Sequence, residues 1–241
     1  MTAQQYKDEH KKLMDQWENE CRKWFAEETD SHSALLNANT NFFEDGIIDP
    51  DMWFSNEYIR PLFILKEVHD TDEQKHLRIN FVAMKENPNC DIWNRKGMWH
   101  ALGTLAKGII EHLEGNAIPM YEELYSDSIE EYRKTLRKIA IVNIKKAPGG
   151  GNTETAESQQ TKHFTCHACR FKDNLRKQIL LTNPTVIICC SPDVAACFDI
   201  VDNKLYGIPV AVGLHPATNA NRRRERFYTE TIKQVKELLT K

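Results

Sequence analysis

The stretch GLHPATNANRRRERF, from Gly213 to Phe227, holds residues that could do chemistry on an anionic substrate. His215 is followed by Pro216, which restricts the backbone of the turn and holds the imidazole near the rim of the sheet. A histidine placed there can donate to an oxygen on which negative charge develops as a group leaves. The alternative is a histidine whose ring is satisfied by backbone groups of the turn.

Four arginines follow the histidine closely. They are Arg222, Arg223, Arg224 and Arg226. A run of charges is commonly a solvated helix face. Here the apolar spacing predicts a helix over residues 222–239, so the arginines lie at its start, where cations oppose the helix dipole. Contact with phosphate would offset that cost, and the run therefore favours phosphate binding.

Two further groups could take part in catalysis or recognition. Glu67 can act as a general base on water or stabilise a cationic sugar, with Asp70 as a second carboxylate. The alternative for Glu67 is an ion pair with Lys66 or another nearby cation. Asn143 interrupts the apolar run IAIVNI, so its buried amide needs partners. A pyrimidine edge offers both a donor and an acceptor, and so does a neighbouring loop.

The elements that must position these groups are short apolar strands alternating with helices. Strands are predicted at Leu62–Leu65 and within KIAIVNIKK, TVIICC and IPVAVGL. Helices are predicted over residues 6–28, 91–113, 121–138, 167–181 and 222–239. This alternation indicates an α/β three-layer sandwich with a short, mostly parallel four-stranded sheet. Residues 1–58 are expected to form a helical extension packed on an α/β domain of residues 59–241.

Ligands of open parallel sheets bind beyond the carboxyl ends of the strands. The groups that follow the four strands are therefore expected at one rim: Lys66, Glu67, His69 and Asp70, then Asn143, Lys145 and Lys146, then Asp193, and finally His215. This set suits an anionic ligand that carries a heterocycle.

The glycine-rich stretch PGGGN is not a Walker loop, yet its backbone amides beside Lys145 and Lys146 could hold phosphate. The alternative is a linker without a binding role.

These motifs resemble the uracil-DNA glycosylase superfamily over residues 61–239. LFILKEVHD resembles its first strand and acidic loop, which assigns the catalytic carboxylate to Glu67. IVNIKKAPGGGN is similar to the strand with the base-reading asparagine, here Asn143. VAVGLHPATNANRRRERF looks like the His-Pro-Ser motif and final helix, with His215 as the catalytic histidine. The resemblance implies a flipped nucleotide and hydrolysis of its N-glycosidic bond.

The chain departs from the family pattern at several positions. Lys66 stands where glycine is usual, Ala217 replaces the serine of His-Pro-Ser, and no bulky apolar wedge follows. Two alternatives remain open beside a base-excising enzyme. One is a non-catalytic nucleic-acid-binding module on the same fold, and the other is a hydrolase of a free nucleotide or small anion.

The stretch HFTCHAC supplies His163, Cys166, His167 and Cys169, which is half of a zinc site by spacing. A second Cys-x-x-Cys is missing. Some glycosylases of this superfamily hold an iron–sulfur cluster through an N-terminal cysteine pair, whereas the upstream cysteines here are Cys21 and Cys90. We therefore expect no metal and no cofactor.

Composition limits the remaining possibilities. The 241 residues are 41% hydrophobic and 28% charged, as in a globular protein. The formal net charge of −3 argues against a positively charged surface overall and leaves room for a local basic patch. No apolar run approaches the ~18 residues of a membrane helix, and the N-terminus does not resemble a signal peptide. The odd count of seven cysteines favours a reducing compartment. We expect a cytoplasmic monomer with DNA as its partner and no membrane association.

Overall fold

The computed structural model describes residues 1–27, 42–55, 59–66, 79–80, 98–113, 120–121, 124, 128–146, 165–214 and 221–239. The helices are α1 (Ala3–Glu27), α2 (Pro50–Ser55), α3 (Met98–Leu113), α4 (Ile129–Leu136), α5 (Lys172–Thr182), α6 (Pro192–Ala195) and α7 (Asn221–Leu239). The strands are β1 (Phe43–Glu44), β2 (Gly46–Ile47), β3 (Pro61–Leu65), β4 (Ile79–Asn80), β5 (Ala140–Asn143), β6 (Val186–Cys189), β7 (Lys204–Leu205) and β8 (Ile208–Val212).

The main sheet has six strands in the order β2-β5-β3-β6-β8-β7. The four central strands are parallel neighbours, whereas β2 pairs antiparallel with β5 and β7 antiparallel with β8. The predicted α/β character is confirmed. The prediction of a four-stranded sheet is wrong, because two edge strands of two residues each make the sheet six-stranded and mixed. Strands that short leave no alternating pattern to detect.

The two faces of the sheet carry separate apolar layers. Phe63 and Leu65 of β3 pack into a layer with residues of α3, α4 and α7. Leu62 and Ile64, which alternate with them, pack into the opposite layer with residues of α1 and α5. Every residue of β3 is buried, which explains why its sequence is continuously apolar.

Polar residues at helix ends fix where several helices start and stop. The Ser128 hydroxyl accepts from the Glu131 N–H at 3.2 Å and caps the start of α4. Ser191 caps α6 in the same way, with Pro192 at the first helical position. Asn183 ends α5 in the left-handed conformation, with φ of 48°. These caps set where α4 and α6 begin and where α5 ends, next to the strands β5 and β6.

The first helix, α1, has 25 residues and packs along α5 on one face of the sheet. Met14 and Trp17 lie on the inner face of α1 and are fully buried, while the outer face of the helix is charged. No helix in the described part of the chain is both long and apolar enough to cross a membrane.

Candidate functional site

The order of the parallel strands creates a crevice between β3 and β6. Along the chain the first parallel strand, β3, is followed by β5 on one side and by β6 and β8 on the other. The connections therefore diverge between β3 and β6, at their carboxyl ends, where open α/β sheets bind ligands. This switch point is the part of the sheet edge best suited to hold a ligand.

An ion pair spans that switch point. Lys66 directly follows β3, and Asp193 lies in the first turn of α6 after β6. Lys66 Nζ donates to Asp193 Oδ2 at 2.6 Å, and the two side chains are 33% and 59% exposed. A solvent-exposed pair of this kind contributes little to stability. Lys66 therefore lies at the crevice, and its side chain is not part of the buried core.

Lys145 lies beside Lys66 at the same edge. Its backbone N–H donates to the Lys66 carbonyl at 2.9 Å, so the pairing of β5 with β3 continues past the ends of both strands. The Lys145 side chain is largely buried. Two lysines are thus held on adjacent strands where the parallel sheet ends.

The start of α7 extends beyond this edge. Gln234 bonds both the N–H and the carbonyl of Val212, and Gly213 packs closely against Phe227 and Thr231. The helix therefore runs antiparallel to β8, and the residues before Phe227 continue past the strand end. Arg222, Arg223 and Arg224 occupy that first part of α7.

Arg226 is the arginine of the run whose side-chain contact is described. Its Nε donates to Glu230 Oε1 at 2.7 Å, and the arginine side chain is 69% exposed. Such an exposed pair four residues apart is weak and easily exchanged for another anion.

Asn143 and Lys146 are not open to the crevice; both bond the buried Asp45 carboxylate. Asp45 Oδ2 accepts from the Asn143 backbone N–H at 2.7 Å and from its side-chain Nδ2 at 2.9 Å. Lys146 Nζ donates to Asp45 Oδ1 at 2.5 Å. Burial lowers the pKa of Lys146, and the Asp45 carboxylate opposes that effect.

Helices α1 and α5 complete the surroundings of Asp45. Gln178 Nε2 donates to Asp45 O and Oδ1, each at 2.9 Å. His10 Nε2 lies 2.7 Å from the same carbonyl oxygen, so this nitrogen carries a proton. The Trp17 ring faces Lys146 Nζ at 4.8 Å from its centroid. Asn143 Oδ1 and Gln178 Oε1 are buried and have no hydrogen-bond partner among the described residues.

This cluster joins α1, the β1–β2 segment, β5 and α5 into one buried polar unit. The sequence pattern does not point to Asp45, because the Asp-Gly pair in FFEDGII is typical of a turn or loop. A signal was present, because a lysine directly after an apolar strand needs a carboxylate when it is buried.

Four of the predicted site residues lie outside the described residues. They are Glu67, His69, Asp70 and His215. Their assignments remain predictions. The described residues place Lys66, Lys145 and the start of α7 at the carboxyl edge and give Asn143 and Lys146 a buried partner.

The cysteine–histidine stretch contributes one buried histidine and two exposed cysteines to the described part of the chain. His167 is buried, with its ring 5.2 Å from that of Trp24 and 5.8 Å from that of Phe171, whereas Cys166 and Cys169 are exposed. Within the described part of the chain, no group of three or more histidine, cysteine or acidic side chains is arranged to hold a metal ion. His163 lies outside it.

Comparison with family models, curated proteins and solved structures found no match to this chain.

Proposed function

We propose that the protein recognises a base in DNA or another nucleic acid at the carboxyl edge of its parallel strands, and hydrolyses the N-glycosidic bond of that base. One observation carries the proposal: Lys66 lies at the switch point between β3 and β6, with its ammonium 2.6 Å from Asp193 Oδ2. The cation is exposed enough to exchange this partner for a phosphate oxygen.

The basic start of α7 supports a nucleic acid over a neutral ligand. Arg222, Arg223 and Arg224 continue α7 past the end of β8, on the same edge as Lys66. The first turn of α7 contains no acidic residue. Phosphates bound there would neutralise cations at a helix end that already carries partial positive charge.

The chemistry follows the roles assigned from the sequence. Glu67 takes a proton from a water molecule whose oxygen attacks the sugar carbon, while the bond from that carbon to the base nitrogen breaks and its electron pair leaves with the base. His215 donates to the oxygen of the departing base. The Asn143 amide keeps Oδ1 and its second Nδ2 hydrogen beyond the described bond to Asp45, so these groups would make any contact of this residue with a base.

The experiment is a base-excision assay. Oligonucleotides that carry a single uracil or hypoxanthine are incubated with the protein, and abasic sites are revealed by alkaline cleavage; the unmodified sequence serves as substrate control. We expect cleavage that Glu67→Gln and His215→Ala abolish and that Glu237→Gln, an exposed change near the other end of α7, leaves intact.

The other outcomes separate the alternatives. Binding without cleavage would indicate the non-catalytic module. Hydrolysis of free nucleotides without cleavage of oligonucleotides would indicate the small-anion enzyme. Either result would overturn the proposed reaction, and the first would leave the nucleic-acid partner in place.

A further inference from the structure

Two side chains of α5 contact the chain between residues 197 and 206. Lys172 and Arg176 are four residues apart and therefore share one face of α5. Residues 165–170 form a separate helical turn before it, because Phe171 departs from helical dihedral angles, with φ of −108° and ψ of 27°. Cys169 lies in that preceding turn, three residues before Lys172.

Two contacts fix the register between α5 and the segment opposite. The Arg176 guanidinium lies over the Tyr206 ring, 5.2 Å from its centroid. One turn earlier, Lys172 Nζ donates to Asp199 Oδ2 at 2.6 Å. Earlier residues of α5 therefore contact earlier residues of the opposite segment, and the two run in the same direction. Cys169 precedes Lys172 by three residues and Cys197 precedes Asp199 by two, so the two cysteines flank the Lys172–Asp199 contact on the same side.

The two thiols differ in exposure. Both are reduced in the structure, with Cys169 exposed and Cys197 half-buried. Burial, and then the neighbouring Cys169, raise the pKa of the Cys197 thiol to about 11. Cys169 is thus the more accessible thiol and the first to meet an oxidant, while Cys197 remains a protonated neighbour.

We propose that Cys169 and Cys197 form a reversible disulfide when the protein meets hydrogen peroxide. The Cys169 sulfur attacks one peroxide oxygen, the O–O bond breaks, and a sulfenic acid and water result. The Cys197 sulfur then attacks the sulfenic sulfur, the S–O bond breaks, and hydroxide leaves with the thiol proton as a second water. A dithiol reductant reverses the reaction by thiol–disulfide exchange.

The disulfide would act on the switch point. Cys197 Sγ donates to the Asp193 backbone carbonyl at 3.4 Å, and Asp193 holds Lys66. Oxidation removes that S–H donor and ties the turn after α6 to the helical turn before α5. The inference concerns the thiols alone and does not depend on the proposed nucleic-acid ligand.

The test is peptide mapping without reduction after the full chain has been treated with hydrogen peroxide. We expect a monomer that has lost two hydrogen atoms, one peptide linking Cys169 to Cys197, and recovery of both thiols with dithiothreitol. Cys169→Ser and Cys197→Ser should each abolish the linked peptide. Cys166→Ser, a change one turn away on an exposed cysteine, should leave it intact.

Several results would overturn the proposal. They are a Cys166–Cys169 link in its place, a link to Cys90, dimers joined between chains, or peroxide treatment that yields sulfinic acid and no disulfide. Mapping of the parent protein decides among these outcomes even if a serine variant folds poorly.

Discussion

Asp45 Oδ1 and Lys146 Nζ lie 2.5 Å apart with both side chains 1% exposed, although 101 positions separate them in the chain. Around them, the Asp45 carboxylate accepts four hydrogen bonds from three residues. The ion pair ties the β1–β2 segment to the end of β5, and Gln178 extends the connection to α5. A buried charge pair of this kind demands that both partners remain.

Removing one member of the pair should be costly. Lys146→Met leaves Asp45 buried without its countercharge, and we expect the free energy of unfolding to fall by about 3–5 kcal/mol in urea denaturation. Lys7→Met breaks the exposed 3.0 Å pair with Asp51 and should cost about 0–1 kcal/mol. A cost for Lys146→Met no larger than that of the control would contradict the role assigned to the pair.

Stability should also fall at alkaline pH because of Cys21. Burial raises the pKa of this thiol from 9.0 to about 12. The folded state therefore keeps a proton that the unfolded state releases, so this thiol's stabilisation is complete below about pH 9 and is lost as pH rises toward 12. Between these two pKa values, each such thiol lowers the free energy of unfolding by about 1.4 kcal/mol for every unit by which the pH rises.

Urea denaturation of the parent and of Cys21→Ala between pH 8 and pH 11 measures this contribution. The variant should lose stability less steeply above pH 9. If the free energy of unfolding fell equally steeply with pH in the two proteins, Cys21 would have the same pKa in the folded and unfolded states, and the prediction would be wrong.

The arginines at the start of α7 should contact phosphate. Replacing Arg222 and Arg223 with alanine should weaken binding to every nucleic-acid sequence and reduce the slope of log affinity against log salt by about 0.7–0.9 per lost contact. Folding stability should hardly change, since like charges at a helix start repel each other and the dipole. Lys233→Ala, an exposed change further along α7, is the matched control. Equal salt slopes for the double variant and this control would remove the arginines from the interface.

Much of the fold was predictable because local patterns determine it. The residues of β3, β5 and β6 are all buried, and their apolar runs, interrupted in β5 by Asn143, indicated interior strands. The helix over 222–239 was predicted within one residue of α7. The edge strands could not be predicted, because Gly46–Ile47 and Lys204–Leu205 are too short to show a period and are defined by their partners.

The candidate site was predictable in position more than in contacts. That Lys66 follows a strand end could be read from the neighbouring residues. Its partner Asp193 lies 127 positions away, and Asp45 lies 98 positions from Asn143. Pairings at that range depend on strand order, which no local pattern specifies. For Asn143 the sequence left two partners open, a base or a loop, and the structure shows its amide donating to the loop residue Asp45.

The most direct test of the central claim is equilibrium binding of labelled single-stranded DNA, duplex DNA and RNA at low salt, by the parent and by Lys66→Met, with Lys233→Met as the control. We expect the parent to bind at least one of these polymers, with affinity that falls steeply as salt rises. Lys66→Met should bind more weakly and the control should match the parent. A parent that binds none of the three, or a Lys66→Met variant indistinguishable from the control, would contradict nucleic-acid recognition at the β3–β6 switch point.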